Sequence, residues 1–479
     1  MIEIGRRGFL GGAAALMGMS GCRSLGLGAA KPDLVFGVIS DVHITTPEST
    51  AMFKRTLRYF RDRDVDAVLI AGDLTDWGLK SSLKYMADAW YEIFPGDRAP
   101  DGRKVQKLFC TGNHDYDGYC YGDMTLEMHA LGYSEDDALI RHGLKECWEE
   151  LFHEPFANVR RRTVKGYDFI SAEWKGGPAE ADRWLAENGK SLDPDKPFFF
   201  FTHYPINNTT SCTRREGGSR FLEMKSLASF PNAVAISGHC HWTLNDERSI
   251  WQGEYTALQV PSLSYTTIPG GYENGSDSRK GDPTAAMPKL PSRPQLQRAQ
   301  GYLVSVFGSR MEIERRDFDV GVEAAPAWIV TPPTAASKPY AFENSSKRTP
   351  VPQFPAGAEM AMRTVNTEDR NGHWAIMMEI DFPSAKARRG RVYDYVVRAV
   401  KVDGGETLME KYFLSEAFYK LEREEPLRQT VWVNALDLPE FGRYRLEVRP
   451  RNCFGAAGDP LISREFESKP GKTKCLKKL

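Results

Sequence analysis

The feature that most constrains this chain is a set of five short apolar runs, Leu34–Ile39, Ala67–Ala71, Lys107–Cys110, Pro197–Phe201 and Ala233–Ile236, each stopping abruptly in polar residues. Apolar stretches of about 4–8 residues bounded by turn-formers fit buried strands better than helices. The segments between them, such as Ser49–Asp62 and Lys80–Tyr91, place Met52, Leu57 and Phe60, or Leu83, Met86 and Trp90, at helical spacing. Strand alternating with helix predicts an α/β sheet covered on both faces.

Each run feeds into a cluster of nitrogen and oxygen donors. Asp41-Val42-His43 comes after the first, Gly72-Asp73-Leu74-Thr75-Asp76 after the second and Gly112-Asn113-His114-Asp115 after the third. Thr202-His203-Tyr204-Pro205 succeeds the fourth and Gly238-His239-Cys240-His241 the fifth. The C-terminal ends of neighbouring strands lie side by side, so these residues converge despite their separation in sequence. Asp, His and Asn suit divalent first-row metals, and a carboxylate can bridge two such ions about 3.5–4 Å apart. In an extended segment Asp41 and His43, like His239 and His241, point the same way, whereas Val42 and Cys240 point away. Five of the nine histidines fall in this set; His129, His142, His153 and His373 read as ordinary polar residues.

The ordered set D-x-H, G-D-x-x-D, G-N-H-D, a lone His after a strand and G-H-x-H resembles the calcineurin-like metallophosphoesterase superfamily over about residues 33–320. The resemblance implies a metallophosphoesterase-type α/β fold, a β-sandwich core flanked by helices. It implies two divalent metal ions drawn from Mn, Fe, Zn, Co or Ni. Asp41, His43 and His241 would hold one ion, Asn113, His203 and His239 the other, and Asp73 would bridge them. His114 resembles the family's catalytic histidine. Asp76 and Asp115 match motif positions, either holding His114 and a turn backbone in place or capping turns. The implied reaction is hydrolysis of a small-molecule phosphate ester by a metal-bridging hydroxide, with a phosphodiester preferred and a monoester or pyrophosphate as alternatives. A further alternative is a surface-anchored binding module with a vestigial catalytic domain. The loop Asn207–Arg215 comes soon after His203 and offers Arg214 and Arg215 to a phosphate, or is a plain solvated loop.

Beyond the catalytic region the pattern changes. Pro269–Pro294 reads as a long surface loop, and seven prolines between Pro326 and Pro355 mark residues 321–355 as an extended connector. Period-two alternation then appears, in Tyr393, Tyr395 and Val397, in Val431 and Val433, and in Tyr444, Leu446 and Val448. That predicts a second, smaller all-β sandwich over residues 356–470, and its Tyr444–Gly455 segment resembles a fibronectin type III-like module. The region between Tyr116 and Lys196 reads as an insertion, helical around Asp136–Phe152, with Arg160-Arg161-Arg162 as a solvated basic face.

At the N-terminus, Arg6-Arg7 precede a short apolar run and Met19-Ser20-Gly21-Cys22. The run is too short to span a bilayer, which takes about 20 apolar residues. Residues 1–22 resemble a twin-arginine export signal ending in a lipobox, which implies an exported bacterial envelope lipoprotein, periplasmic or outer-membrane, touching the membrane only through lipid on Cys22. Among the remaining seven cysteines no spacing dictates a disulfide. The 63 Lys and Arg against 64 Asp and Glu leave a formal charge of −1, with no cationic surplus to specify nucleic acid.

Overall fold

Phe36 lies edge-on to Phe169 and Phe199, with ring centroids 5.2 and 4.8 Å away, and these three rings join two β-sheets packed face to face. The computed structural model describes residues 31–120, 123–214, 221–267, 299–368, 374–388, 391–415, 418, 427–437 and 442–468. Residues 1–30 with Cys22, Arg215, all of Pro269–Pro294, His373 and Cys475 lie outside the described residues.

Sheet one starts with β1 (Leu34–Ile39), β2 (Ala67–Ala71) and β3 (Gln106–Cys110), which run parallel. The chain then builds sheet two from β4 (Val159–Val164), β5 (Tyr167–Ala172), β6 (Phe198–Thr202), β7 (Ala233–Ser237), β8 (Ile250–Gln252) and β9 (Thr256–Gln259). Their order is β4-β5-β6-β7-β9-β8, with β5, β6, β7 and β9 parallel. It returns to sheet one as β10 (Gln300–Phe307), β11 (Arg310–Asp317) and β12 (Val322–Val330), giving the order β12-β11-β10-β1-β2-β3.

Strands such as β2 (Ala-Val-Leu-Ile-Ala) and β6 (Phe-Phe-Phe-Phe-Thr) are buried along their whole length because both of their faces are covered. Leu69, Leu108, Phe201 and Ile236 fill the layer between the sheets. On the outer face of sheet one, helices α1 (Thr50–Asp62) and α2 (Lys80–Ile93) lay Phe53, Leu57 and Phe60, with Leu83, Met86 and Trp90, against Val68 and Ile70. Helix Gly177–Asn188 covers sheet two with Ala181 and Leu185. The result is the expected helix-flanked sandwich. The five apolar runs are all strands, but they divide between two sheets instead of lining up in one.

Three other expectations are corrected. The Pro-rich stretch is not a bare connector, since β12 pairs with β11 and a helix spans Phe342–Arg348. The helical stretch 136–152 is broken at Ala138 and at Gly143, whose φ of 84° interrupts helical geometry. The Arg160–Arg162 cluster lies on β4 and is ion-paired: Arg160 with buried Glu173, Arg161 with Asp168 and Arg162 with Glu154. Arg160 also covers the Trp148 ring at 4.7 Å.

The C-terminal region is all-β. Ala361–Glu368, Trp374–Pro383 and Arg428–Asn434 form one antiparallel sheet; Thr407–Leu414, Asp394–Lys401 and Gly442–Arg451 form the core of another. The alternating residues face inward as expected, with Val397 opposite Val448 and Ala399 opposite Leu446 in register.

Candidate metal centre

All seven expected ligands lie just past the C-terminal ends of β1, β2, β3, β6 and β7, where the rims of the two sheets meet. Asp41, His43, Asp73 and His241 place one donor atom each within 4.8 Å of one another, and Asp73, His203 and His239 do the same. Asp73 is common to both groups. Its Oδ2 is 3.1 Å from His203 Nε2 and 3.8 Å from His43 Nε2. Asn113 joins the second group through Oδ1, 3.1 Å from His203 Nε2.

The local backbone differs from the extended segments expected. Asp41, His43, Asp73, His239 and His241 have φ values of 52°, 52°, 49°, 68° and 52°, in the left-handed region. Asp and His are among the few non-glycine residues that enter it readily, and such conformations cluster at functional sites. The two-residue spacing therefore does bring each pair to one pocket, through left-handed turns and not through strand alternation. Val42 packs into the core behind the site as expected. Two glycines make the turns possible: a Cβ on Gly112 would collide with Asp73 Oδ1, and one on Gly72, at φ 90°, with the His203 ring.

The histidines are oriented from behind. Nδ1 of His43 donates to Asp76 Oδ1 (2.7 Å), that of His203 to the Ala71 carbonyl (2.9 Å) and that of His241 to the Tyr265 carbonyl (3.1 Å). An acceptor on Nδ1 fixes the proton there and turns the Nε2 lone pair toward the site, the usual support of a metal-binding imidazole. The Nε2 atoms of His43 and His241 consequently face one another at 3.2 Å. Two lone pairs at that distance repel unless positive charge lies between them. Donor separations of 3.0–3.2 Å also match the edge of a coordination shell with metal–nitrogen distances of about 2.0–2.1 Å. The residues present thus fit a metal ion.

Electrostatics agrees. Burial opposes ionisation of Asp41 and Asp73, yet neighbouring histidines hold both carboxyls below the usual range. Burial also opposes a charged His203, but Asp73 and Asp41 outweigh it and raise its pKa to about 9. A proton there supplies the positive charge that a cation would bring. His239, buried and beside His203, is pushed down to about 3 and so stays neutral.

Asp76 and Asp115 divide the roles expected of them. Asp76 serves histidines: besides His43, its carboxylate lies 3.2 Å from His114 Nδ1, which also donates to its backbone carbonyl (2.7 Å). Asp115 serves backbone, accepting from the Leu74, Thr75 and Gly112 amides (3.1, 2.8 and 2.8 Å) and from the Thr75 hydroxyl. His114 opens helix α3 (His114–Asp117), and its own amide donates to Asp73 Oδ1 (2.9 Å).

Arg214 lies elsewhere, its guanidinium over the Phe342 ring at 4.3 Å and its Nε donating to the Thr209 carbonyl. Sequence reasoning misses Tyr265, whose carbonyl orients His241 and whose ring lies 4.2 Å from it, because no strand end announces that residue. It also misses Glu173, fully buried, which accepts from the Thr111 amide and hydroxyl and ties the end of β5 to that of β3. A polar residue directly after the run Tyr167–Ala172 is the available signal.

The calcineurin-like phosphoesterase family profile matches residues 34–242. Residues 34–242 form a calcineurin-like phosphoesterase domain. All seven candidate ligands fall within the matched residues, His239 and His241 close to their C-terminal limit. Among curated proteins none matches the chain. Among solved structures, GAP50, the anchor in the inner membrane complex of Plasmodium, is 12% identical, with 63% of this chain and 89% of that one covered and a TM-score of 0.35. The purple acid phosphatase PPD1 of yellow lupin is 14% identical, with 62% and 53% covered and a TM-score of 0.37. A predicted phosphoesterase of Streptococcus pneumoniae is 14% identical, with 62% and 97% covered and a TM-score of 0.25.

Proposed function

We propose that the protein hydrolyses phosphate esters at a pair of divalent cations, one held by Asp41, His43 and His241, the other by Asn113, His203 and His239, with Asp73 shared. The observation that carries this reading is the shared Asp73 carboxylate between two donor groups whose imidazole nitrogens already face inward. Divalent cations there supply charge for the phosphoryl oxygens and lower the pKa of water at neutral pH. Water adds to phosphorus, the ester P–O bond breaks, and the departing oxygen takes a proton.

His114 is the proton donor in this scheme. Burial disfavours its charged ring, but Asp76 and Asp73 overcome that and raise its pKa to about 9 without cations present. Cations sharing the Asp73 carboxylate would bring that value down toward neutrality, where a general acid is most effective. With Nδ1 engaged by Asp76, proton transfer falls to Nε2. The D-x-H and G-N-H-D pairing favours a diester over a monoester. A vestigial domain serving only as a binding module would tolerate loss of donors, and all seven are in place. Residues 1–22 would deliver the enzyme to the cell envelope, with Cys22 carrying the lipid, and residues 356–470 would form a fibronectin type III-like appendage.

The test is metal analysis of the purified protein with assays of bis(4-nitrophenyl) phosphate, 4-nitrophenyl phosphate and a pyrophosphate under Mn²⁺, Zn²⁺, Fe²⁺, Co²⁺ and Ni²⁺. About two metal equivalents and chelator-sensitive diester hydrolysis are expected. Absence of hydrolysis under every metal would overturn the proposal.

A further inference from the structure

Three consecutive parallel strands of sheet two, β5, β6 and β7, each place a ring just past the C-terminal end: Trp174, Tyr204 and His239. The rings touch in that order. Tyr204 lies 4.1 Å from His239 and Trp174 lies 6.0 Å from Tyr204. Tyr116, on α3 after Asn113 and His114, completes the row at 5.3 Å from Trp174. A row of rings therefore leads outward from a metal-ligand candidate along the rim where the two sheets meet.

Its placement is enforced from below. Glu173, buried beneath Trp174, is bound to Thr111 on the other sheet, so the indole is held at the same rim as Asn113. Trp174, Tyr204, Tyr116 and His239 are each only half-buried. The indole N–H of Trp174 meets no protein acceptor among the described residues and is left to solvent or to a ligand. A half-exposed indole with an unused donor, in line with a phosphate site, suits a flat group carrying its own acceptors.

On the strength of the phosphoesterase reading, we infer that Trp174 and Tyr116 form a stacking subsite for a planar aromatic or nucleobase group on the substrate. The substrate class is then a phosphate ester bearing a flat ring system, its phosphorus at the ligands around Asp73 and its ring on Trp174. Aromatic stacking of a base is worth enough for alanine replacement to weaken binding about tenfold or more.

The test uses Trp174→Ala and Trp174→Phe, leaving Tyr204 intact because it rests on His239. With bis(4-nitrophenyl) phosphate, Trp174→Ala is expected to raise KM about tenfold with kcat little changed, and Trp174→Phe to restore most of the loss. With glycerophosphocholine, which carries no ring, KM is expected to stay the same. Calorimetric titration with adenosine, which has no phosphate and needs no metal, should show binding that Trp174→Ala weakens about tenfold and Trp174→Phe retains. Equal KM changes for the two esters, or adenosine binding indifferent to Trp174→Ala, would show that the rings only fill space and overturn the inference while the phosphoesterase reading stood. Absence of turnover with every ester would remove that reading, and the adenosine titration would then decide the stacking site alone.

Discussion

Asp76 Oδ1 accepts a 2.7 Å hydrogen bond from His43 Nδ1 and lies 3.2 Å from His114 Nδ1, so one carboxylate orients both a ligand and the proposed proton donor. Asp76→Asn keeps the shape but removes the charge that stabilises the Nδ1 proton of each ring. Loss of such a supporting carboxylate is expected to weaken metal binding about 10–100-fold, read by competition with a metal indicator dye. Metal affinity equal to that of the parent would show that Asp76 only shapes the turn.

His114→Ala separates chemistry from metal binding, because His114 supplies no donor to either ligand group around Asp73. The expected result is kcat lower by about 10²–10⁴-fold, the usual contribution of general acid–base catalysis, with metal content unchanged. Metal analysis beside steady-state kinetics measures both. Normal turnover, or metal lost along with activity, would remove His114 from the proton-donor role.

Asp115 makes a prediction about stability instead. Fully buried, it satisfies three backbone amides and a hydroxyl from the turns that carry Asp73 and Asn113. Asp115→Ala leaves buried donors unpaired at about 1–3 kcal/mol each, so a loss of at least about 3 kcal/mol in urea unfolding is expected. A variant as stable as the parent would mean that water replaces the carboxylate at these turns.

How much of the fold and site is legible in the sequence depends on the range of the interactions involved. Leu34–Ile39 and Ala67–Ala71 stand out because burial on both faces demands unbroken apolar residues, and the donors after them are conspicuous by type. The division into two sheets is hidden because it depends on which strands pair, and β5 lies inside a stretch that reads as an insertion. The turns at Asp41 and His239 read as extended because left-handed backbone leaves no periodic trace when Asp and His adopt it. Arg160 reads as solvated because its partner Glu173 is in a different strand segment and becomes its neighbour only when β4 pairs with β5.

The last prediction concerns the C-terminal region. Asp246, fully buried and five residues after His241, accepts from Trp242 Nε1 and from Arg248, and Arg248 donates to the hydroxyl of Tyr393 at 2.9 Å. The Arg248 guanidinium also sits 5.0 Å over the Tyr393 ring. The segment just after a metal ligand is thereby fastened to the all-β region through Arg248, which Asp246 holds in place from within the same segment. Arg248→Met removes the countercharge of a buried carboxylate, a change that costs about 3–5 kcal/mol where no other cation can approach. Tyr393→Phe removes only the hydroxyl and is expected to cost about 1 kcal/mol. Thermal unfolding of both variants, each with and without added Mn²⁺, measures the difference. If the fastening holds His241 in place, Arg248→Met also gains less from Mn²⁺ than the parent does, because stabilisation by a ligand falls as its affinity falls. An equal gain in both would confine the ion pair to a structural role remote from the ligands.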